Sequence, residues 1–178
     1  MEELKQIEEL TRLDESHILI GQLTGWVPDL GRLHAHVSSI TLHSGVPEEI
    51  RGQFNVARNM ALYQYYFYAL APEVQLKTYA VIEYALRLRA GPGCNGQTLH
   101  PLVKMAVSEG WISDAGFRNV ADPQLDNRYC QTLLKVMNKL RNGLAHGSNQ
   151  LTPNCIGHLE ICADFVNQLF KRPDSLTD

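Results

Sequence analysis

Apolar residues recur at helical spacing from Pro47 onward. The stretch Pro47-Glu48-Glu49 is typical of a helix start, because proline lacks the amide donor that a first turn leaves unpaired and carboxylates favour the positive helix end. The apolar positions that follow at this spacing are Met60, Tyr63, Phe67 and Leu70. Because the aromatic run 63–68 makes this element apolar on most sides, we predict a central core helix, although such a run could also stack bases.

Two further helices are expected before residue 113. The second follows Ala71-Pro72, ends before the turn Gly91-Pro92-Gly93, and should pack on the first as a hairpin. The third begins at the capping residue Thr98 and stops at Gly110. The apolar stripe of the second helix is Val74, Val81, Ala85 and Leu88, and that of the third is Leu99, Leu102, Val103, Ala106 and Val107.

A loop over 113–126 precedes the most regular pattern in the chain. Five apolar residues line up over four turns and predict a helix that leads into residues 141–147; they are Tyr129, Leu133, Val136, Leu140 and Leu144. Thr152-Pro153 is typical of the start of the last helix, which ends before Pro173. The predicted buried face of that helix is Ile156, Leu159, Ala163, Val166 and Phe170.

The N-terminal third carries a weaker pattern. It predicts a short helix from Glu2 to Leu13 and then turns through Gly45, while Leu33-His34-Ala35-His36-Val37 could be a short strand or an irregular connection. We therefore predict an N-terminal extension of residues 1–46 that packs on a helical domain of residues 47–178. The fold class is all-α, a helical bundle of four to five core helices with a less regular N-terminal segment.

Composition limits the classes of function. A chain of 178 residues, 44% of them hydrophobic and 20% charged, can bury one sizeable core. Its formal net charge of -3 gives no overall field that attracts nucleic acid or an anionic membrane, so any contact with RNA must be local. No apolar stretch is long enough to cross a bilayer, and the acidic start Met1-Glu2-Glu3 does not resemble a signal peptide. We expect a cytoplasmic protein.

The cysteines and histidines offer only weak metal candidates. Cys94, Cys130, Cys155 and Cys162 contain no CxxC pair, which favours reduced thiols. Cys155, His158 and Cys162 share one helix face and could present three ligands to zinc, but a fourth ligand has no obvious source. His34 and His36 are no stronger a pair. The stretch 91–96 matches GxGxxG yet follows a helix, so it is typical of a turn. We expect neither a metal nor a cofactor.

The segment Arg141-Asn142-Gly143-Leu144-Ala145-His146-Gly147 carries the residue types that RNA cleavage needs. Attack by the 2′-hydroxyl requires a group that moves a proton and a cation on the phosphate. His146 can act as general base or acid, and the Arg141 guanidinium can hold two phosphate oxygens. Asn142 could hold the phosphate or orient the histidine.

At these residues the sequence resembles the HEPN superfamily, whose signature is an arginine, usually followed by a polar residue, four to six residues before a histidine. Tyr79 to Arg89, Thr98-Leu99 and Glu109-Gly110-Trp111-Ile112 look like the family's earlier helices in order, so the resemblance covers roughly Pro47 to Lys171. It implies an all-α bundle that dimerises and is often a metal-independent endoribonuclease of toxin-antitoxin, abortive-infection or RNA-processing systems. Some members keep the fold and lose catalysis.

Helix geometry limits how Arg141 and His146 can meet. Five residues at about 100° each place them about 140° apart around a regular helix. Either Gly143 and Gly147 let the last turn distort, or the site joins two chains across a dimer axis, which is the interpretation we prefer. His146 instead shares a polar face with Asn142 and with three basic residues that we predict to bind RNA: Arg128, Lys135 and Lys139.

Two simpler interpretations stay open. Arginine, asparagine and glycine near a helix C-terminus are also what capping selects, so the chain could be a non-catalytic HEPN-like module that binds RNA or a protein such as an antitoxin. Glu83 precedes Arg87 by four residues, which is typical of a solvated helical ion pair, although its position in the family resemblance also allows a role at the site. RNA, a second copy of the chain and an antitoxin are therefore the expected partners, and a membrane is not.

Overall fold

The computed structural model describes residues 3–123, 126–146 and 154–172, and within them it contains helices and no strand. This confirms the all-α fold class. Seven α-helices follow one another in the described residues: α1 (Glu15–Thr24), α2 (Leu30–Ser39), α3 (Glu48–Tyr63), α4 (Ala71–Ala90), α5 (Leu99–Ser108), α6 (Arg128–Ala145) and α7 (Cys155–Leu169).

Helix α4 is the centre of the bundle. It makes its most extensive contacts with α7 and α3, and it also packs against α5 and α6. Its buried apolar residues are Ala71, Val74, Tyr79, Val81, Ile82, Ala85 and Leu86, which cover much of the helix circumference. The predicted hairpin of α3 and α4 is confirmed, and Pro72 lies in the first turn of α4, where its missing amide costs nothing.

The prediction that the first long helix extends through the aromatic run is wrong. Helix α3 ends at Tyr63, whose side chain is 63% exposed, and Phe67 and Leu70 lie beyond its end. The buried residues of α3 are Ile50, Phe54, Ala57 and Ala61. The central position therefore belongs to α4, and the aromatic run forms most of the connection between the two helices.

The N-terminal third is more helical than its pattern indicates. The predicted helix from Glu2 to Leu13 is wrong, since the described part of that range holds only a 3₁₀ turn at Ile7–Glu9. Helices α1 and α2 replace the predicted turns, and the alternating segment 33–37 lies inside α2, so neither a strand nor an irregular connection forms. Val37, within α2, is buried in the same core as α3 and α4. The division between residues 46 and 47 stays a prediction.

Side-chain caps explain where α1 and α2 begin. Asp14 accepts a hydrogen bond from the amide of Ser16 at 3.0 Å, and Asp29 accepts one from the amide of Arg32 at 2.8 Å. Each satisfies an amide that the first turn leaves without a partner. Asp14 also accepts the amide of Tyr68 at 3.0 Å, which fixes α1 against the connection between α3 and α4.

Candidate functional site

The candidate site lies at the C-terminal end of α6, and a buried carboxylate fixes the other end of that helix. Asp114 accepts the amides of Tyr129 and Cys130 at 3.0 and 2.9 Å, in the first turn of α6. Burial raises the pKa of Asp114, and the hydrogen bonds from Cys130 and Tyr129 more than offset that effect, so the pKa lies below its usual 3.8. The carboxylate therefore stays charged at the positive end of the helix.

The face that α6 buries differs from the predicted stripe. Cys130, Leu133 and Met137 are buried, whereas Val136 and Leu140 are 38% and 44% exposed. Leu133 thus belongs to both faces, and the helix is rotated so that two of the predicted core residues reach the surface. Tyr129 and Leu144 are partly buried against the core.

Arg141 turns toward the bundle, where it meets a carboxylate of α4. Its guanidinium lies 3.8 Å from an oxygen of Glu83, and it also donates to the side-chain oxygen of Asn142 at 3.4 Å. Glu83 is only 9% exposed, and its other oxygen accepts a hydrogen bond from Arg87. The expectation of a solvated pair is therefore wrong for Glu83, which is buried, accepts a hydrogen bond from Arg87 and forms an ion pair with Arg141.

The cluster of Glu83, Arg87 and Arg141 keeps a positive charge. Two guanidinium groups share one carboxylate, so one unit of charge is not compensated within the cluster. Arg87 is further held by the carbonyl of Gln97, to which it donates at 3.1 and 3.3 Å. The side chains of Arg87 and Arg141 remain 36% and 40% exposed, which leaves part of each guanidinium open to an anion.

His146 ends α6 on the opposite side. Its amide donates to the carbonyl of Asn142 at 3.0 Å, its side chain is exposed, and the imidazole makes no hydrogen bond or ion pair with any described residue. Because α6 is continuous from Arg128 to Ala145, the distortion considered for its last turn is not present up to His146. In a regular helix, residues five apart point about 140° apart, so within one chain we expect the two side chains to diverge. Gly147 lies outside the described residues.

The predicted RNA-binding residues follow the outer face of α6. Lys135 and Lys139 are exposed and form no ion pair within the described ranges, whereas Arg128 pairs with Asp126 at 2.7 Å. Asn142, one turn before His146, is half-buried. The structure therefore places two unpaired lysines on the side of α6 that leads to the imidazole.

The thiols of α7 are buried among apolar side chains. Burial raises the pKa of Cys155 to about 11, and it also raises the pKa of Cys162, whose thiol donates to the carbonyl of Thr78 at 3.6 Å. Burial lowers the pKa of His158. Both thiols are thus protonated at neutral pH, when they would have to be thiolates to bind zinc. Among the described residues no group of three metal-ligating side chains comes together.

The reach of Glu83 to Arg141 is the part of this site that the sequence argument did not predict. Helical spacing predicts only the pair with Arg87, its neighbour on α4, because spacing reports contacts within one helix, and the resemblance allows Glu83 a role at the site without naming a partner for it. The signal that was present is its position in the buried stripe of α4, between Ile82 and Ala85. A carboxylate at a core position must be paired, which makes a second partner from a neighbouring helix worth seeking.

Compared with protein-family models, curated proteins and solved structures, the chain matches none of them. None of the helices described in the structure is long and apolar enough to cross a membrane.

Proposed function

We propose that the chain is a metal-independent endoribonuclease of HEPN type that works as a homodimer. The observation that carries the proposal is the ion pair of Arg141 with the buried Glu83 near the end of the helix that stops at His146, whose exposed imidazole has no partner among the described residues. A positioned guanidinium and an accessible imidazole are the two groups that cleavage through the 2′-hydroxyl requires.

In the proposed reaction the 2′-oxygen of the RNA attacks the adjacent phosphorus. His146 takes the proton of the 2′-hydroxyl as the new oxygen–phosphorus bond forms, and Arg141 stabilises the charge on the non-bridging oxygens. The bond to the 5′-oxygen then breaks, that oxygen takes a proton from water, and the imidazolium of His146 returns its proton to the solvent. The products are a 2′,3′-cyclic phosphate and a 5′-hydroxyl end, with no change of oxidation state.

Lys135, Lys139 and Arg128 are the proposed contacts to the RNA backbone. They lie on the outer face of α6. Their positive charge would attract RNA locally, although the formal net charge of the chain is -3. Asn142 supports the site by accepting a hydrogen bond from Arg141. Phosphate contacts of this kind give affinity that falls with rising salt.

A dimer through α6 would bring Arg141 of one copy to His146 of the partner subunit. Supporting this, Val136 and Leu140 expose apolar surface on one side of α6, and a side chain at Gly143 would meet no atom within 4 Å. Exposed apolar residues beside an open glycine permit close approach of a second helix. A role in a toxin-antitoxin or phage-defence system, with an antitoxin as partner and a cytoplasmic location, rests on the HEPN resemblance alone.

The test is cleavage of mixed-sequence RNA in excess EDTA by the wild type, Arg141→Ala and His146→Ala. We expect cleavage to 2′,3′-cyclic phosphate ends and a loss of about 10² or more in each variant. As a control, His100→Ala removes an exposed histidine from α5 and should keep full activity. Arg128→Ala removes an exposed arginine from α6 and should change mainly the salt dependence of RNA binding. Equal activity of all variants would exclude this site.

One observation favours a binding module as the second candidate. Arg141 is already held by Glu83 and diverges from His146, an arrangement that serves the packing of α6 on α4 without any substrate. A folded wild type that binds RNA in a salt-dependent manner and cleaves none of it in EDTA or in Mg²⁺ would support this candidate over the enzyme.

A further inference from the structure

A concave cavity of about 350 Å³ lies away from the α6 site, between α1, α2 and the connection that follows α3. Its volume is in the range of small-molecule sites. Its aromatic walls are His17, Trp26, Tyr65 and Tyr68, joined by aliphatic residues that include Ile20 and Ile156. The aromatic run predicted for the core thus supplies two walls of a cavity.

The four rings are organised around His17. The Tyr68 ring lies edge-on to it at 5.0 Å between centroids, the Tyr65 ring is stacked at 6.0 Å, and the Trp26 ring is tilted at 5.9 Å. His17 is 3% exposed and donates Nε2–H to the carbonyl of Gln64 at 2.9 Å, so its orientation is fixed. Trp26 keeps 47% of its surface exposed, which places an aromatic face where a ligand enters.

Gln64 adds a polar group to the cavity wall. The residue is 8% exposed and lines the cavity, and its carboxamide forms no hydrogen bond with any described residue. The carboxamide is therefore open to pair with a ligand that enters the cavity. The amide offers one acceptor and two donors, the set that pairs in two places with the edge of a nucleobase.

The charges around the cavity neutralise one another. The Asp29 carboxylate lies 3.7 Å from the Arg32 guanidinium and accepts the amide of Arg32, and the same guanidinium donates to the carbonyl of Val27 at 3.1 Å. His36 is paired with Glu160 at 3.0 Å. A carboxylate without a counter-cation would add to the attraction of aromatic rings for a quaternary ammonium ion, and because Asp29 is already paired, this lining favours a neutral, planar ligand.

We propose that this cavity binds a single nucleobase, stacked on Trp26 and Tyr65 and read at its edge by the Gln64 carboxamide. Aromatic side chains bind bases of any identity through their faces, and a hydrogen-bonding amide adds discrimination. Purines offer the larger stacking area and are the preferred occupants. The inference goes beyond cleavage at His146 and does not require it, since the base can belong to an RNA strand or to a free nucleotide.

The test uses Trp26 as the reporter. The chain has two tryptophans, and Trp111→Phe leaves Trp26 as the single indole while retaining a ring for Arg89, which lies 5.1 Å from the Trp111 centroid. Titration of this protein with adenosine monophosphate should quench its fluorescence to saturation, and cytidine monophosphate should bind more weakly. Quenching by tetramethylammonium and not by nucleotides would overturn the proposal, as would no saturable quenching by either nucleotide.

Matched variants separate the cavity from the surface. Tyr65→Leu and Gln64→Met should each weaken binding by about tenfold, whereas Tyr63→Leu and Gln53→Met, which change exposed residues of α3, should leave it unchanged. As a check that needs no variant, saturation-transfer NMR on the wild type should mark the base protons of the nucleotide more strongly than the ribose protons. Equal marking would contradict insertion of the base.

A comparison of binding affinities shows whether the base belongs to RNA or to a free nucleotide. The ligands are a six-residue adenosine oligoribonucleotide and the mononucleotide, and the protein also carries His146→Ala so that the strand stays intact. Binding of the strand at least tenfold more tightly, with the gain lost in Tyr65→Leu, assigns the cavity to RNA, whereas equal binding, or a gain that Tyr65→Leu keeps, assigns it to a free nucleotide. Nucleotide binding by a protein that cleaves no RNA would refute the ribonuclease and leave this proposal standing. RNA cleavage without nucleotide binding would support the ribonuclease and overturn the proposed nucleobase site.

Discussion

At the scale of single residues, Glu83 decides what Arg141 can do. A carboxylate that is 9% exposed must be paired, and here its two oxygens serve arginines from different helices. The pairing limits the freedom of the Arg141 side chain, which would otherwise lose rotamer entropy on meeting a phosphate. Glu83 is therefore a positioning residue in the proposed mechanism, since it acts on the substrate only through Arg141.

We predict that Glu83→Gln lowers kcat for RNA cleavage by about tenfold with a smaller change in KM. Glutamine keeps a hydrogen-bond acceptor but removes the charge that holds Arg141, and a tenfold loss corresponds to about 1.4 kcal/mol of transition-state stabilisation. Circular dichroism and thermal unfolding check that the variant is folded. Steady-state kinetics with a defined RNA substrate give the two constants.

The matched control for this prediction is Glu73→Gln, which changes an exposed carboxylate in the first turn of the same helix. It should leave both constants within a factor of two. If Glu83→Gln unfolds at a lower temperature but cleaves with an unchanged kcat, its role is confined to packing α6 on α4.

At the scale of elements, the start of α6 depends on Asp114. The carboxylate comes from the 3₁₀ turn Asp114–Gly116 and accepts two amides of the first turn, which fixes the register of the helix that carries Arg141 and His146. Asp114 is itself held by Asn127, whose side-chain oxygen accepts its amide at 3.0 Å. Asn127 adopts a positive φ of 51°, a conformation that asparagine tolerates better than most residues.

Asp114→Asn should lower the free energy of unfolding by about 1–3 kcal/mol at pH 7, because a neutral amide replaces a charged acceptor of two hydrogen bonds. The pKa of Asp114 is lower in the folded protein than its usual 3.8, so its stabilisation is present above that value and is lost as the pH falls through the folded pKa. The difference in the free energy of unfolding between wild type and variant, measured by urea titration, should therefore decrease as the pH falls into the acid range.

Asp126→Asn provides the comparison, since it removes an exposed carboxylate near the same helix start whose ion pair among the described residues is with the exposed Arg128. Its effect on the free energy of unfolding should be much smaller than that of Asp114→Asn, because solvent screens an exposed pair. An equal loss in both variants, or a gap for Asp114→Asn that does not change with pH, would mean that the carboxylate does not stabilise α6 through its charge.

The helices differ in how well the sequence predicts them, for a physical reason. Helices α3 to α7 bury apolar residues over several turns, so their presence is visible without the fold, although the buried faces of α3 and α6 differ from the predicted stripes. Helix α1 buries only His17, whose partners are the carbonyl of Gln64 and the rings of Tyr65 and Tyr68, far along the chain. Its stability comes from tertiary contacts that no local pattern reports.

The candidate site shows the same limit. The motif of Arg141 and His146 can be read from residue types and spacing, and so can their divergence around α6. The rotation of α6 that exposes Val136 and Leu140 cannot be read from the sequence. Leu133 fits both the predicted stripe and the neighbouring stripe that is buried in the structure, so the spacing does not choose between them. The contact with Glu83 also depends on how α4 and α6 pack, which is a property of the whole bundle.

At the scale of the whole molecule, the proposed enzyme is incomplete as a single chain. Arg141 pairs with Glu83 of α4 and His146 ends α6 with an exposed side chain, and in the proposed composite site a second copy brings the two groups to one phosphate. The exposed Val136 and Leu140 give that copy an apolar surface on the same helix. Each active site would then take its arginine from one subunit and its histidine from the other.

A composite site makes a quantitative prediction for mixed variants. When Arg141→Ala and His146→Ala are unfolded together in equal amounts and refolded, about half of the dimers are mixed, and each mixed dimer contains one intact site out of two. Activity should therefore recover to about a quarter of the wild-type value, although each variant alone is inactive.

Recovery should disappear when both variants also carry Leu140→Lys, which places a charge on the exposed apolar surface, and sedimentation should then show monomers. An inactive mixture that sediments as dimers would mean that each site draws both residues from one chain, and active wild-type monomers would exclude the composite site altogether.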